Sequence, residues 1–367
     1  MNHLDLFSGI GGFSLGLKKV FNIKHTYYSE IDKYAIDVYK HNFKNSTYVK
    51  SITDVQGSTL PRIDVITFGS PCQDFSLAGK RKGMDGERSS LITEAIRLIK
   101  ECRPSFFIWE NVKGTFSSNS GSDFWAIIQA FTNIGGYRLE WQLLNTKWFL
   151  PQNRQRIYLV GYIGNGSGRQ VFPITKNNYK INDIQRQQAD TCTLTTRYEA
   201  GGNGSYIIER ELNAQKTELK QIGTIGKDSE ATRVYNTNCA KTIKDGGGMG
   251  VKTGLYMIKT NNKKGFEIAK PGDTINYAVP TSKTRRGRVG KGVAQTLDTG
   301  CNQAVFNNKI RRLTPIECER LQGFPDDWTK TGKELGTISN SQRYKMCGNA
   351  VTVNVVKAVA ERIKKVI

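Results

Sequence analysis

Two apolar runs in this chain each end in a side chain that can do chemistry. Ile63 to Phe68 leads into Gly69-Ser70-Pro71-Cys72-Gln73, and Phe106 to Trp109 leads into Glu110-Asn111-Val112. If both runs are strands of one parallel sheet, a thiol and a carboxyl leave from the same edge, where open α/β sheets place their ligands. Most free cysteines are small buried hydrophobes. The residues around Cys72, with Gln73-Asp74-Phe75-Ser76 and Gly79-Lys80-Arg81-Lys82-Gly83 following, are too polar and glycine-rich for a core, and nearby cations favour a thiolate. Glu110 is costly to bury as an anion, so its pKa is expected to rise and leave it a proton donor; pairing with a lysine at the sheet edge is the alternative. In Gln152-Asn153-Arg154-Gln155-Arg156 the two arginines alternate with uncharged positions and are expected to point to one side. There a guanidinium can hydrogen-bond a carbonyl oxygen or hold the carboxyl in place, unless one or both are ordinary surface arginines. A nucleophilic thiol with a carboxyl partner fits chemistry on a pyrimidine ring.

A second constellation lies at the amino terminus. Asp5-Leu6-Phe7-Ser8-Gly9-Ile10-Gly11-Gly12 joins a strand directly to a helix, with three glycines where a ligand must approach backbone amides closely. The next strand ends in Ser29-Glu30-Ile31-Asp32, where an acidic side chain can accept two hydrogen bonds from a ribose diol. Together these point to a nucleoside cofactor. The dinucleotide spacing and the P-loop Lys-Ser/Thr are both absent, so neither NAD nor ATP is favoured.

The elements that position these groups follow a βαβ rhythm from residue 1 to about 165. Strands are expected at Leu4 to Phe7, His25 to Ser29, Ile63 to Phe68, Phe106 to Trp109 and Ile157 to Tyr162. Helices are expected through Phe13, Leu17, Val20 and Phe21; through Tyr34, Val38 and Tyr39; over Leu91 to Lys100 with Ile92, Ile96 and Ile99 on one face; and through Trp125, Ile128 and Phe131. Strands this apolar are covered on both faces, which predicts an α/β fold with a doubly wound, mostly parallel sheet.

Near Gly164 the texture changes. Gly, Asn, Thr and Lys become frequent until about Lys309, which predicts a smaller, β-rich and irregular second domain. The expected division is 1–165 plus 311–367 for one domain and 166–310 for the other. Within the second, a strand, glycine-rich loop, strand theme recurs at Cys192-Thr193-Leu194-Thr195, at Lys241-Thr242-Ile243 and, more weakly, at Gln295-Thr296-Leu297-Asp298 with Gly300 and Val305-Phe306. Plain β-hairpins with glycine at their turns explain any single copy equally well. Helical texture returns at Thr314-Pro315-Ile316-Glu317, a helix start with proline in its first turn, and the closing stretch Val351 to Val366 is expected to pack back onto the first domain.

The net charge of +22 over 367 residues is far from that of an ordinary cytosolic enzyme and attracts polyanions. Residues 167–310 carry 23 basic and 12 acidic residues, an excess of +11, with a cluster at Lys283-Thr284-Arg285-Arg286-Gly287-Arg288. Nucleic acid is the natural partner, and the groove-facing surface is expected here. The seven scattered cysteines form no C-x-x-C pair, and no histidine lies beyond His41, so neither a disulfide framework nor a metal site is expected. No export signal and no membrane span is evident, so a soluble, cytoplasmic protein is expected, nucleoid-associated where the nucleic acid it binds is DNA.

In order and spacing, residues 5 to 17, 29 to 43, 69 to 91, 110 to 114, 152 to 161, 311 to 328 and 348 to 356 resemble the motif set of the DNA cytosine C5 methyltransferases of bacterial and phage restriction-modification type. Seven ordered blocks reaching both ends of the chain are far more specific than any one of them. The resemblance implies methyl transfer from S-adenosyl-L-methionine to carbon 5 of cytosine in double-stranded DNA, yielding S-adenosyl-L-homocysteine, with a variable target-recognition domain between the Gln152 and Arg311 blocks. It implies Cys72 as the nucleophile on carbon 6 and Glu110 as the acid at N3, with Arg154 and Arg156 beside them and the target base flipped out of the duplex. It implies a cofactor site lined by Phe7, Gly9, Ile10, Gly12, Glu30, Ile31, Ile52, Pro71, Leu91 and Asn349. Gln73 and Arg88 lie, on this likeness, toward the DNA backbone and the gap left by the base. Arg233-Val234-Tyr235 through Thr242-Ile243 and Gly246-Gly247-Gly248 look like base-reading loops, and Arg233 and Arg288 are candidates for bidentate contacts to guanine. Two departures stand out: Ser51 occupies a position where many members carry an acid for the adenine amino group, and Ala78 replaces a serine of some relatives.

Two rival readings share parts of this pattern. A tRNA cytosine methyltransferase of the same fold has the Cys72 and Glu110 blocks, but the large basic insert and the missing Cys-Phe-Thr tripeptide oppose it. A catalytically inactive DNA-binding regulator is opposed by the intact Cys72 and Glu110. The leading expectation is a monomeric modification enzyme that shares its target site with a restriction endonuclease without binding it stably.

Overall fold

The computed structural model describes residues 1–70, 90–163, 169–175, 221–224, 233–235, 257–260, 262–263, 265–270, 272–277, 288–307 and 309–367. Its centre is a seven-stranded sheet built from β1 (Asn2–Leu6), β2 (His25–Ser29), β3 (Ser46–Tyr48), β4 (Val65–Gly69), β5 (Phe106–Val112), β6 (Arg138–Asn145) and β8 (Gln155–Tyr162), with β7 (Gln152–Asn153) a short strand outside it. The order is β3-β2-β1-β4-β5-β8-β6. The first five strands run parallel, and β8 is antiparallel to both β5 and β6. The chain starts at the centre and reverses there, which is the doubly wound arrangement expected.

Alternation along the strands explains why both faces are covered. Phe107 and Trp109 of β5 pack with Leu4, Phe68, Leu159 and the helices α3 (Ser90–Cys102) and α4 (Ser122–Thr132). Phe106 and Ile108 point the other way, into a cluster with Phe13, Leu17, Val160, Val356 and Val359. That second face is closed by α1 (Gly12–Lys18) and the last helix, so the carboxyl-terminal segment packs back onto α1 and onto β4, β5 and β8 of the sheet. Gly16 permits this contact, since a Cβ there would lie 2.6 Å from Val356 Cγ1. In α4 the buried face is Phe124, Ile127, Ile128 and Phe131, whereas Trp125, expected on that face, is 58 % exposed.

Two helix starts carry side-chain caps. Asp32 accepts hydrogen bonds from the Tyr34 and Ala35 amides at the start of α2 (Lys33–Asn42). Thr314 and Glu317 form a reciprocal capping box with Pro315 at the first turn of α5 (Pro315–Leu321). Two more helices, α6 (Asn340–Asn349) and α7 (Val353–Ile363), complete the chain.

The described part of 166–310 is β-rich. Hairpins form between β9 (Gln221–Thr224) and β10 (Arg233–Tyr235), and between β11 (Met257–Lys259) and β12 (Phe266–Ile268). A four-stranded sheet contains β13 (Thr274–Asn276), β14 (Val289–Gly290), β16 (Gln303–Asn307) and β17 (Lys309–Arg312). The third copy of the glycine theme is not a hairpin. Its first strand, β15 (Ala294–Gln295), pairs in parallel with β7, while β16 pairs with β13 and β17. The Gln303 side chain joins the two instead, accepting from the Gln295 amide and donating to the Gln295 and Thr296 carbonyls. The first two copies lie outside the described residues. No helix among the described residues is long and apolar enough to cross a membrane.

Candidate active site

Adjacent parallel strands β4 and β5 bring Gly69 opposite Glu110 at the carboxyl edge of the sheet. The following residue, Ser70, is buried and held from two sides. Trp109 Nε1 donates to Ser70 Oγ at 3.1 Å, and Asn111 Nδ2 donates to Ser70 O and Oγ, each at 3.2 Å. Asn111 is fixed in turn, its Oδ1 accepting from the Val112 amide at 2.7 Å and the Thr115 hydroxyl at 3.2 Å. Neither Ser70 nor Asn111 had been singled out from the sequence; a buried asparagine ending an otherwise apolar strand was the available signal.

Glu110 is 8 % exposed, and its Oε1 lies 3.1 Å from Arg156 Nε. The counter-charge is an arginine from the neighbouring strand rather than a lysine. Gly69 leaves room for the carboxylate, because a Cβ there would come within 3.1 Å of Glu110 Oε2. Burial, with the Glu110 charge nearby, pushes the Tyr158 phenol far up, so it stays protonated beneath this pair.

The two arginines do not share a side. Arg154 falls between β7 and β8, where strand alternation is interrupted. Its buried guanidinium donates to Gly348 O at 3.3 Å and Ala350 O at 3.0 Å, so it braces the segment that carries Asn349 instead of meeting Glu110. Beside it, Gln152 Nε2 donates to Leu321 O at 2.7 Å and its Oε1 accepts from the Leu297 amide at 3.3 Å, docking the β15 segment onto α5.

At the amino-terminal loop, Phe7, Gly9 and Gly11 all take positive φ, 51°, 52° and 87°. The Glu30 carboxylate locks this turn to the end of β2. Its Oε2 accepts from the Gly9 amide at 2.8 Å, and its Oε1 from the Ile31 and Asp32 amides at 2.8 and 3.0 Å. Three of roughly four acceptor positions are thus used by these amides, so one is left over for a further donor. Ile31 is 82 % exposed beside it, and among the described residues nothing lies within 4 Å of where a Gly9 Cβ would stand. An apolar face for a base, a carboxylate for a ribose hydroxyl and open backbone for a charged tail fit an adenosyl amino acid.

The other residues expected at this site divide by burial. Gly12 packs on the Val351 carbonyl, and Ile52 and Ile10 are buried. Ile10 belongs to a cluster with Phe324, Met346 and Val353, so it shapes the site from behind. Leu91 is half-buried at the start of α3, and Asn349 is exposed at the end of α6. Ser51 Oγ lies 3.0 Å from the Thr53 hydroxyl.

Pro71, Cys72, Gln73, Arg88, Thr242, Gly247 and Gly248 lie outside the described residues, and Arg233 opens β10 opposite Thr224. Arg288 corrects an expectation. It is 5 % exposed, its amide donates to Glu267 Oε2 at 2.7 Å and its Nη1 to Asn276 O at 3.4 Å, so it ties strands together rather than presenting a fork to a groove.

Residues 1–365 match the model of the C-5 cytosine-specific DNA methylases. The chain belongs to that family. It is 31% identical over 379 residues to the type II methyltransferase M1.ScrFI of Lactococcus lactis subsp. cremoris, covering 99% of this chain and 78% of that one. It is 28% identical over 428 residues to the orphan methyltransferase M.SPRI of Bacillus phage SPR, covering 98% and 96%. Among solved structures, the methyltransferase EhMeth of Entamoeba histolytica superposes with a TM-score of 0.54 at 17% identity, over 100% of this chain and 98% of that one, a likeness of fold. This DNA cytosine-5 methyltransferase therefore acts on DNA, with a methyltransferase sheet and a smaller β-rich part.

Proposed function

We propose that the enzyme methylates carbon 5 of one cytosine within a specific double-stranded DNA sequence, using S-adenosyl-L-methionine and a covalent bond from Cys72 to carbon 6 of a flipped-out base. The observation that carries this reading is the clamp on Ser70. Trp109 and Asn111 fix that residue against the strand bearing Glu110, and Cys72 follows two positions later in the chain.

Carbon 5 of cytosine is a poor nucleophile until a group adds at carbon 6. The Cys72 thiolate adds there while Glu110, steadied by Arg156, delivers a proton to N3, giving the ring enamine character. When bound, the cofactor supplies an electrophilic sulfonium methyl for that carbon. A water then removes the carbon 5 proton, the Cys72 sulfur departs with its electron pair, and N3 returns its proton to Glu110. Extruding the base costs about a few kcal/mol, which the basic region helps offset by holding the opened duplex. Phe7, Gly9, Glu30, Ile31, Ile52, Leu91 and Asn349 border the adenosyl group, with Pro71 beside them; Arg154 acts by bracing Gly348 and Ala350.

In this reading residues 1–165 and 311–367 are the catalytic domain and 166–310 the target-recognition domain. Gln73 and Arg88 meet the backbone and the vacated stack, while Arg233, Thr242, Gly247 and Gly248 read bases. The enzyme acts as a monomer that protects host or phage DNA, with any cognate endonuclease reading the same site independently. Similarity to both a type II enzyme and a phage orphan enzyme supports a modification role. Incubation with methyl-labelled cofactor and either duplex DNA or tRNA tests the substrate: label enters the duplex, whereas label confined to tRNA overturns the proposal. Bisulfite sequencing of plasmid from expressing cells then gives the recognised motif.

A further inference from the structure

One side chain outside the reacting groups holds the far wall of the cofactor site to the helix that follows the Cys72 segment. Arg97, in the middle of α3, reaches across to the turn that begins at Ile52. Its Nη2 donates to Val55 O at 2.8 Å and Ile52 O at 3.5 Å. Two carboxylates of the same helix steer it. Glu94 Oε2 accepts from Nε at 2.8 Å and Nη2 at 2.6 Å, and Glu101 Oε1 accepts from Nη1 at 2.8 Å. Glu101 is used twice, since its Oε2 also accepts from the Gly57 amide at 2.7 Å. Gly57 admits this contact because a Cβ there would lie 2.6 Å from Glu101 Cβ and 2.9 Å from Oε2. These partners pull the Glu101 carboxyl below the ordinary carboxylate range and raise Arg97, so both stay charged.

The turn is thus stapled to α3 at the carbonyls of residues 52 and 55 and the amide of residue 57. It has little regular structure of its own, only the short 3-10 turns Ile52–Asp54 and Gly57–Thr59. Beneath this polar staple Ile52 and Val55 pack into the same apolar cluster as Ile92, Ile96 and Ile99 of α3, while Thr53, Gln56, Ser58, Glu94, Arg97 and Glu101 line an open groove of about 720 Å³ at the surface. Apolar packing holds the two together, and the planar fork spanning two carbonyls and two carboxylates adds the directional contacts that set the height of the turn.

We infer that Arg97 is a positioning residue for the adenosyl group, holding Ile52 and its neighbours at the height the cofactor requires, with Glu94 and Glu101 as its supports. This rests on the cofactor reading above. The same helix begins at Ser90, directly after the residues 71–89 that include Cys72 and Arg88 in the sequence.

The test is calorimetric titration of S-adenosyl-L-homocysteine into full-length protein, with KM for the methyl donor and kcat on duplex DNA measured in parallel. Arg97→Ala weakens product binding and raises KM by roughly tenfold, with kcat at saturation within about twofold of the parent. Arg97→Lys, which keeps charge but not the fork, recovers only part of the affinity. Arg362→Ala, which removes another carbonyl-spanning arginine, on Val171 O and Gln170 O far from this turn, leaves affinity unchanged. If Arg97→Ala does not fold, Glu101→Gln carries the same expectation at smaller size. Unchanged affinity in a folded Arg97 variant, or an equal loss in Arg362→Ala, overturns the inference. Failure of the parent protein to bind S-adenosyl-L-homocysteine overturns the cofactor reading instead.

Discussion

Arg156 Nε stands 3.1 Å from Glu110 Oε1 across the antiparallel β5–β8 ladder, reaching diagonally from its position opposite Val112. The pair is mostly screened from water, with side-chain exposures of 16 and 10 %. A buried ion pair of this kind does more for geometry than for net stability, and breaking one partner leaves the other charge stranded.

Arg156→Ala is therefore expected to lower kcat by roughly 100-fold, within the range for a disabled general acid. Cofactor affinity, measured with S-adenosyl-L-homocysteine, stays near that of the parent. Comparable loss of both would place Arg156 in the general scaffold rather than behind Glu110.

The Ser70 clamp makes a separate prediction. Asn111→Ala removes the donor to Ser70 and leaves buried acceptors unpaired, at about 1–3 kcal/mol of stability. Turnover should fall further than stability explains, at temperatures where the variant is fully folded. Circular dichroism with single-turnover methylation separates the two; undiminished turnover in a folded variant excludes the clamp as a catalytic support.

Much of this scaffold was legible in the sequence. Strands β1, β2, β4, β5 and β8, the glycine loop, the proline-marked start of α5 and the return of the last helix follow from apolar periodicity and local chemistry, whereas the three-residue β3 carries too short a pattern to be expected. β6 was not expected, because Arg138, Glu140 and Gln142 interrupt its apolar pattern; Glu140 and Gln142 instead bind the strap at Phe172 and Ile174. The division of labour between Arg154 and Arg156 was equally hidden, since it depends on a break between two strands that alternation does not announce. Arg288 misled because a basic cluster says nothing about which member turns inward.

The two loop glycines should respond differently to alanine. At Gly12 the new Cβ would meet the Val351 carbonyl at 2.6 Å, so α1 and the carboxyl-terminal segment must part and the melting temperature falls sharply. At Gly9 there is space, and the cost is the left-handed φ of 52°, about 1–2 kcal/mol. Gly9→Ala should thus stay folded and lose S-adenosyl-L-homocysteine affinity in calorimetry. Equal effects at the two positions would contradict the site.

Beneath the loop, Asp5 and His3 are fully buried in one network with Ser14, Tyr39 and Thr67. Burial pushes Asp5 up to about 7, against the opposing hydrogen bonds from Ser14, Thr67 and Tyr39. It lowers His3 to about 3, assisted by Lys18. For Asp5 the folded state binds the proton more tightly, so its contribution is complete below about 4 and is lost as pH rises through about 7. His3 works oppositely, contributing above about 6.5 and losing it as pH falls toward 3. The two trends oppose between about 4 and 6.5. Asp5→Asn removes the first, so thermal melts at pH 5 and pH 8 should show the parent losing more stability than the variant, by on the order of 1–2 kcal/mol. A parallel pair of curves would refute the assignment.

The decisive measurement is denaturing electrophoresis after incubation with S-adenosyl-L-methionine and a duplex carrying 5-fluorocytosine at the target position, which blocks release of the base. The parent protein should shift to a covalent protein–DNA band that requires the cofactor, and Cys72→Ser should give none while still binding S-adenosyl-L-homocysteine. A band of equal yield from Cys72→Ser, or none from an active parent, would contradict methyl transfer through a bond at residue 72.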